Sequence, residues 1–179
     1  MHPEAFRFVA LVKEKRPEFF HACRVLEVGS RYINGSVRDL FGNVAYVGVD
    51  CIPGPGVDWI GMAHEFPDVT PFDIAISTEA FEHDPHWMKT INRMIDLLRP
   101  GGLFVATWAS PSRPEHGTLQ SSENGESIFG PDPEYYKGLS WADFNFAQKN
   151  RLVYVDFEYG RDGVDCYVSG LKRKDPFIV

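Results

Sequence analysis

Apolar residues recur along the chain at two spacings, and segments with the two spacings alternate. Short apolar runs bounded by turn residues predict strands in "RVLEVGS", "YVGVD", "VDWIGM", "FDIAIST" and "LFVATWAS". Apolar positions three or four residues apart predict helices in the N-terminal segment, "NGSVRDLFGN", "HDPHWMKTINRMIDLLRPGG" and "SWADFNFAQK". The last part, "RLVYVDFEYGRDGVDCYVSGLKRK", predicts a hairpin around Arg161-Asp162-Gly163.

Turn and capping residues set the expected ends of these helices. The first helix is expected to direct Phe6, Val9, Ala10 and Lys13 to one face. The expected boundary residues are Pro17 after the first helix, Asn34 or Ser36 before and Gly42 after the second, and a Ser140/Asp143 capping box at the start of the last.

Strands that alternate with helices predict an α/β fold, an open and mostly parallel sheet of about seven strands with a C-terminal antiparallel hairpin. Ligands bind such sheets beyond the carboxyl ends of the strands, where the strand order reverses. One cleft is therefore expected among the loops that follow Glu27, Asp50, Met62, Thr78 and Ser110.

Composition narrows the class of protein. A length of 179 residues fits one domain, expected to span 1–179. The net charge of −7 argues against a non-specific grip on nucleic-acid phosphates, and no apolar run is long enough to span a bilayer. No signal sequence is expected, since the N-terminal segment carries charges throughout. Cys23, Cys51 and Cys166 are isolated, as is typical of reduced thiols, which predicts a cytoplasmic protein.

The turn after the first strand carries the candidate binding chemistry. Gly29 and Gly35 allow the backbone to approach a ligand closely, and Asp50 lies at the separation expected of an acid that binds a ribose diol. Glu27, immediately before the turn, would repel a pyrophosphate and attract a cation such as an ammonium group. S-adenosylmethionine carries an α-ammonium and a sulfonium and no phosphate, so it fits this pattern better than a dinucleotide.

These residues resemble the class I S-adenosylmethionine-dependent methyltransferases over roughly residues 24–110. Glu27-Val28-Gly29 is similar to the family's acid-x-glycine motif, Asn34-Gly35 completes a longer turn, and Asp50 corresponds to the ribose-binding acid. "FDIAISTEAFEH" resembles the fourth-strand motif and "LLRPGGLFVATWAS" the stretch that leads into the fifth strand. The segments "EVGS", "NGSVR" and "GPGVD" resemble a bacterial-type subgroup of that family.

The resemblance implies a single Rossmann-like methyltransferase domain and a set of cofactor-binding residues. Family members place an acid after the third strand; here Met62 is expected to pack on the purine while a backbone group near Ala63 contacts its edge. The residues expected to hold S-adenosyl-L-methionine are Glu27, Gly29, Ser30, Asn34, Gly35, Asp50, Cys51, Met62, Ala63, Thr78 and Glu79.

Two histidines are the candidate catalytic residues. His83 could act as a general base, line the methionine end of the cofactor or bond the start of the long helix, and His116 is a second candidate base. His116 belongs to a polar, glycine- and proline-rich segment, residues 111–133, which is expected to be a substrate lid that is mobile without ligand. Its polar groups, expected to select a substrate, are Arg113, Glu115, His116, Glu123 and Glu126. The set Asp84, His83 and His86 lacks a distant third ligand, so no metal site is expected.

The expected function is methyl transfer to a small-molecule acceptor. "STEAF" follows the fourth strand where DNA amino-methyltransferases carry N/D-P-P-Y/F, so no DNA substrate is expected. Two alternatives stay open, a catalytically idle binder of the cofactor or its demethylated product, and a nicotinamide oxidoreductase. Neither a membrane partner nor a particular oligomeric state is predicted.

Overall fold

One seven-stranded sheet organises the computed structural model, which describes residues 2–122 and 135–174. The strands are β1 Arg24–Val28, β2 Ala45–Asp50, β3 Trp59–Ile60, β4 Phe72–Thr78, β5 Leu98–Ala109, β6 Leu152–Gly160 and β7 Asp165–Lys172. The α-helices are α1 Pro3–Lys15, α2 Trp87–Leu97 and α3 Trp141–Gln148.

The strand order is β3-β2-β1-β4-β5-β7-β6, with β1 to β5 parallel and β7 antiparallel to both β5 and β6. The order reverses between β1 and β4, because the chain first adds strands on one side of β1 and then returns to the other. In β1, Glu27 lies opposite Gly48 of β2 and Ile76 of β4. The predicted α/β sheet with its C-terminal hairpin is confirmed, and the reversal places a cleft at the carboxyl end of β1.

Alternate residues of the central strands enter two cores on opposite faces of the sheet. Leu26 and Ala75 face α2 and α3, whereas Val25, Ile74 and Ile76 face α1. The predicted helix at the N-terminus is confirmed, but its predicted inner face was rotated. The residues that α1 buries are Ala5, Phe8, Val9 and Val12.

The last helix matches its prediction residue by residue. The side chain of Ser140 accepts from the backbone N–H of Asp143, and the Asp143 carboxylate accepts from the backbone N–H of Ser140, 2.9 Å away. This reciprocal cap satisfies two backbone donors that a helix start leaves unpaired. Phe144 of α3 then stacks on Trp108 of β5 at 5.2 Å between ring centroids.

The helix predicted in "NGSVRDLFGN" is wrong. The segment forms only a 3₁₀ turn over Arg38–Leu40, and Gly35 before it has a φ of +124°. A segment this short, containing glycine, serine and β-branched residues, is a poor helix former, and isolated helices below about 12 residues are marginal. Val37 of this segment is nevertheless fully buried against the core on the α1 side.

Among the residues described, no helix has both the length and the apolar character needed to cross a bilayer.

Candidate functional site

A cleft opens at the carboxyl ends of β1, β2 and β4, where the sheet order reverses. Its space amounts to about 800 Å³, with the open mouth included. The predicted site residues that line it are Glu27, Gly29, Ser30, Asn34, Gly35, Asp50, Thr78, Glu79, His83 and His116. The cleft is also lined by residues that the sequence did not assign to the cofactor site, His2, Arg31, Ile33, Ala80 and Arg113.

Three predicted cofactor residues do not line this cleft. Cys51 is exposed directly after Asp50, and Met62 and Ala63 are half-buried at the 3₁₀ turn Ala63–Glu65. The backbone N–H of Gly61 donates to the backbone carbonyl of Asp50 at 2.9 Å, which holds that turn next to the end of β2. Contact of Met62 and Ala63 with an adenine ring, and of Cys51 with the cofactor, stays a prediction.

Gly29 makes the turn after β1 because no other residue fits there. Its φ is +74°, and a Cβ added to it would lie 2.5 Å from the Cβ of Ala80. Its backbone N–H donates to Val49 of β2 at 2.9 Å. The turn is therefore clamped between β2 and the loop after β4, which brings its backbone into the cleft.

Glu27 is a buried carboxylate at the end of β1, with 3% of its surface exposed. Tyr46 donates its hydroxyl to Glu27 at 3.0 Å, and the Nε of Arg38 lies 3.8 Å from the same carboxylate oxygen. Burial raises the pKa of Glu27 to about 7, a shift that the Tyr46 hydrogen bond and the Arg38 charge reduce but do not cancel. A cation entering the cleft would stabilise the ionised form.

Arg38 holds Glu27 and the loop after β2 in place, a role that the sequence analysis missed. Its Nη2 donates to the carbonyl of Gly56 at 2.7 Å and to Asp58 at 3.2 Å, and its guanidinium stacks on Tyr46 at 4.3 Å. Arg38 belongs to "NGSVR", and Gly56 and Asp58 belong to "GPGVD". The two segments occur together in the sequence, and in the fold they contact each other through Arg38. Their joint presence was therefore the sequence signal for this contact.

Asp50 ends β2 with both carboxylate oxygens engaged by backbone donors. The N–H groups of Arg31 and Ile52 donate to its two oxygens, each at 3.0 Å. A carboxylate oxygen accepts more than one hydrogen bond, so Asp50 keeps acceptor capacity for a pair of ligand hydroxyls.

The opposite side of the cleft is built around a buried arginine. Arg113 contacts Glu79 and His2, and its Nη1 donates to Asp165 at 2.9 Å. Thr107 donates its hydroxyl to Glu79 at 2.9 Å. Glu79 was predicted to bind the cofactor and Arg113 to select a substrate; both line the cleft, but these contacts occupy much of their hydrogen-bonding capacity.

Glu79 also adopts an unusual backbone conformation at the end of β4. Its φ is +55°, in the left-handed region that non-glycine residues seldom occupy, and its N–H donates to Thr107 at 2.9 Å. The turn directs the chain from β4 into the 3₁₀ turn Phe81–His83. Strain of this kind clusters at binding sites, where surrounding contacts maintain it.

Glu82, His83 and His116 meet beyond this arginine. Glu82 is fully buried, and the Nε2 of His116 lies 3.9 Å from its Oε1. The ring centroids of His83 and His116 are 5.2 Å apart, and both rings contact Tyr136.

Burial shifts the pKa of each group in this cluster. Burial and the Glu79 charge raise the pKa of Glu82 to about 8. Burial lowers the pKa of His83 to about 3 and lowers that of His116 below its usual range. His86, which the sequence analysis considered with His83 as a metal ligand, instead packs on His64, with 4.6 Å between the ring centroids.

The first part of the predicted lid is hydrogen-bonded to the hairpin turn after β6, to Tyr136 and within itself. Ser112 donates its hydroxyl to Gly163 at 2.9 Å, and Tyr136 donates its hydroxyl to Pro114 at 3.2 Å. Glu115 accepts from the Thr118 hydroxyl at 2.6 Å. Glu123 and Glu126, with residues 123–133 of that segment, lie outside the described residues. The lid therefore stays a prediction.

Several solved structures with the same fold are methyltransferases. The chain aligns at a TM-score of 0.65 and 16% identity with the 1,6-didemethyltoxoflavin-N1-methyltransferase of Burkholderia thailandensis, over 94% of this chain and 78% of that one. It aligns at 0.60 and 15% with the N-methyltransferase NodS of Bradyrhizobium japonicum, over 93% and 85%. A third likeness, to the CurJ carbon methyltransferase, reaches 0.63 and 12%, over 94% of this chain and 54% of that one.

The first two of these structures contain S-adenosylhomocysteine. No protein-family model and no curated protein matches the sequence. At identities this low the likeness establishes the fold, which is the Rossmann-like fold of class I S-adenosylmethionine-dependent methyltransferases.

Proposed function

We propose that this chain, which has the class I methyltransferase fold, transfers a methyl group from S-adenosylmethionine to a small-molecule acceptor. The observation that carries the proposal is Glu27, a buried carboxylate that lines the cleft at the end of β1. A buried carboxylate in this position favours a cationic ligand and opposes a pyrophosphate.

The cofactor's groups match the chemistry of the β1 and β2 ends. Glu27 would bind the α-ammonium, and Asp50 would accept from the ribose hydroxyls. The turn at Gly29 allows the backbone to approach the ligand, and the hydroxyl of Ser30, buried in the cleft wall, has no partner among the described residues. The bound S-adenosylhomocysteine in two structures of the same fold supports this assignment. Thr78, Cys51, Met62 and Ala63 stay predicted cofactor neighbours.

Methyl transfer from a sulfonium is an in-line displacement on an activated carbon, so the protein must mainly align the acceptor, the methyl group and sulfur, and exclude water. The acceptor would bind on the side of the cleft lined by His2, His83 and His116. An acceptor hydroxyl would need a group to take its proton, and His83 and His116 are the candidates.

A small acceptor suits this cleft. The space of about 800 Å³ includes the open mouth, so the enclosed part next to the lining residues is smaller. His2 and Arg113 line the same space, so α1 and the segment after β5 both contribute to acceptor selection. Small metabolites are therefore proposed as substrates rather than DNA, and a cytoplasmic location stays the prediction from the three unpaired cysteines.

The direct test is transfer of a radiolabelled methyl group from S-adenosylmethionine to a panel of amine, hydroxyl and heterocyclic metabolites. We expect at least one labelled product, and at least tenfold less of it with the variant Glu27→Ala at a cofactor concentration below saturation. Cofactor binding by calorimetry without transfer to any acceptor would favour the idle binder, and spectral changes on titration with a reduced nicotinamide would favour the oxidoreductase.

A further inference from the structure

We propose that Glu82, His83 and His116 form a binding site for a divalent transition-metal ion at the acceptor side of the cleft. One ligand atom from each residue lies within 4.8 Å of the others. Glu82 and His83 come from the turn after β4, and His116 comes from the segment after β5. Metal bonds of about 2.0–2.2 Å place ligand atoms roughly 3–3.5 Å apart, so a modest rotation of the His116 ring would close the set around an ion.

Glu82 is the first reason to assign a ligand to this cluster. Its side chain is 0% exposed, no hydrogen bond of normal geometry reaches either carboxylate oxygen from the described residues, and the backbone N–H groups of Glu82 and Ala109 offset its burial only in part. Burying a carboxylate without hydrogen bonds is unfavourable, and proteins relieve that cost by pairing the group or by coordinating a metal. Among side chains, the ring of His116 approaches Glu82, with its Nε2 at 3.9 Å from Oε1.

The orientation of His116 is the second reason. Its Nδ1 lies 3.2 Å from the carbonyl oxygen of Pro114. A carbonyl oxygen only accepts, so the ring proton sits on Nδ1 and the lone pair sits on Nε2, which faces Glu82. Metal-binding histidines commonly donate their second ring N–H to a backbone carbonyl, which fixes the tautomer that coordinates.

The surrounding charges also favour a cation. Arg113 shares its Nη1 between the carboxylates of Glu79 and Asp165, so its positive charge is already compensated. With Glu82 ionised, three carboxylates surround this one guanidinium, which leaves two negative charges without a partner charge in the cluster. A divalent ion supplies that compensation.

Two imidazoles and one carboxylate are a ligand set that suits zinc, and three protein ligands leave a coordination position open. His83 and His116 line the cleft, so the open position faces the space where the acceptor is placed. An oxygen or nitrogen of the acceptor would occupy it; this role, unlike the metal site itself, rests on the proposed methyl transfer. His116 lies 33 positions after His83, which is why the sequence predicted no metal here.

The metal alone tests the site. The full chain is stripped with a chelator, dialysed against equimolar Zn²⁺ and analysed by atomic emission, and Co²⁺ replaces Zn²⁺ for visible spectroscopy. We expect about one retained ion per chain and a cobalt d–d band, since all three ligands come from one chain. The variants Glu82→Gln and His116→Asn should each lose more than tenfold in affinity. His86→Asn, at the exposed start of α2, is the matched control and should bind as the wild type does.

The proposal would be refuted if the wild type retained no metal. It would also be refuted if Glu82→Gln and His116→Asn both retained as much metal as the wild type. Glutamine has nearly the same shape as the glutamic acid that it replaces, so Glu82→Gln should fold, and the test does not depend on His116→Asn. Calorimetry with S-adenosylhomocysteine on the metal-free protein tests the proposed function separately. Cofactor binding without metal retention refutes the metal site alone, and metal retention without cofactor binding refutes the methyltransferase alone.

Discussion

The two sides of the cleft are built by different means. On the side of β1 and β2, the cofactor side, a tight turn at Gly29 and main-chain donors to Asp50 shape the lining around one buried acid, Glu27. On the side of β4 and β5, the acceptor side, a network of buried charged side chains shapes the lining, as at Arg113 with Glu79 and Asp165. The difference suggests that the cofactor side fits one fixed ligand, whereas side chains define what the acceptor side accepts.

Each side has one arginine, and the two differ in burial. Arg38 on the cofactor side keeps 34% of its side chain exposed, whereas Arg113 on the acceptor side keeps 7%. Solvent screens the interactions of Arg38, so they are individually weak. Arg113 compensates two carboxylates that are themselves almost fully buried, so the acceptor side depends on it for stability.

The largest expected effect therefore follows removal of Arg113. Arg113→Met should lower the free energy of unfolding by about 3–5 kcal/mol, because it leaves buried carboxylates uncompensated. Arg38→Met is the control and should lower it by only about 1 kcal/mol or less. Urea unfolding followed by circular dichroism measures both. The double variant Arg113→Met/Asp165→Asn should recover part of the loss, and equal losses for the two arginines would remove the contrast between the sides.

The second prediction concerns the turn at Gly29. Gly29→Ala should destabilise the protein by about 2–4 kcal/mol, from a left-handed backbone and from overpacking against Ala80. Gly163 has a φ of +93° but no atom within 4 Å of an added Cβ, so Gly163→Ala isolates the backbone term, about 1–2 kcal/mol.

Thermal unfolding of both glycine variants and calorimetry with S-adenosylhomocysteine check the prediction. Only Gly29→Ala should also abolish measurable binding. If both variants lose the same stability and keep the ligand, close approach at Gly29 plays no part in the site.

A smaller effect is expected at Asp50, the acid proposed to bind the ribose. Asp50→Asn should weaken cofactor binding less than Asp50→Ala, because the amide keeps one acceptor oxygen. The difference should be about 0.5–1.5 kcal/mol, the net value of one hydrogen bond. Calorimetric dissociation constants for S-adenosylhomocysteine give the comparison. Equal losses would mean that the charge, or the support that Asp50 gives to Arg31 and Ile52, is responsible.

Elements with strong local signals could be predicted from the sequence. Strand β4, Phe72–Thr78, and the Ser140/Asp143 cap were predicted because apolar runs and capping residues act over a few positions. The helix in "NGSVRDLFGN" was wrongly predicted, since its apolar spacing is helical but the segment is too short and glycine-rich to form one. In the fold this segment makes tertiary contacts instead, those of Arg38 with Gly56 and Asp58.

The same distinction applies to the site. Glu27, Gly29 and Asp50 were predicted because each ends a strand or makes the turn after one, and the fold brings strand ends together. The pairing of Arg113 with Glu79 and Asp165 joins residues 34 and 52 positions apart, so no local pattern indicates it. His2, which lies just before α1, was not predicted, for the same reason: it lines the cleft but is far along the chain from the other residues there.

The most direct test of the cofactor side is calorimetry with S-adenosylhomocysteine on the wild type and Glu27→Gln at two pH values. Burial raises the pKa of Glu27 to about 7, so the free protein is mostly protonated at this site below that pH. An ammonium group binds the ionised form, so wild-type affinity should rise roughly tenfold from about pH 6 to 7.5, with proton release seen in buffers of different ionisation enthalpy.

Glu27→Gln should bind about 1.5–3 kcal/mol more weakly than the wild type at the higher pH, without this pH dependence. Wild-type and variant affinities that agree at both pH values, with no proton released, would contradict the assignment of Glu27 to the ammonium of the cofactor.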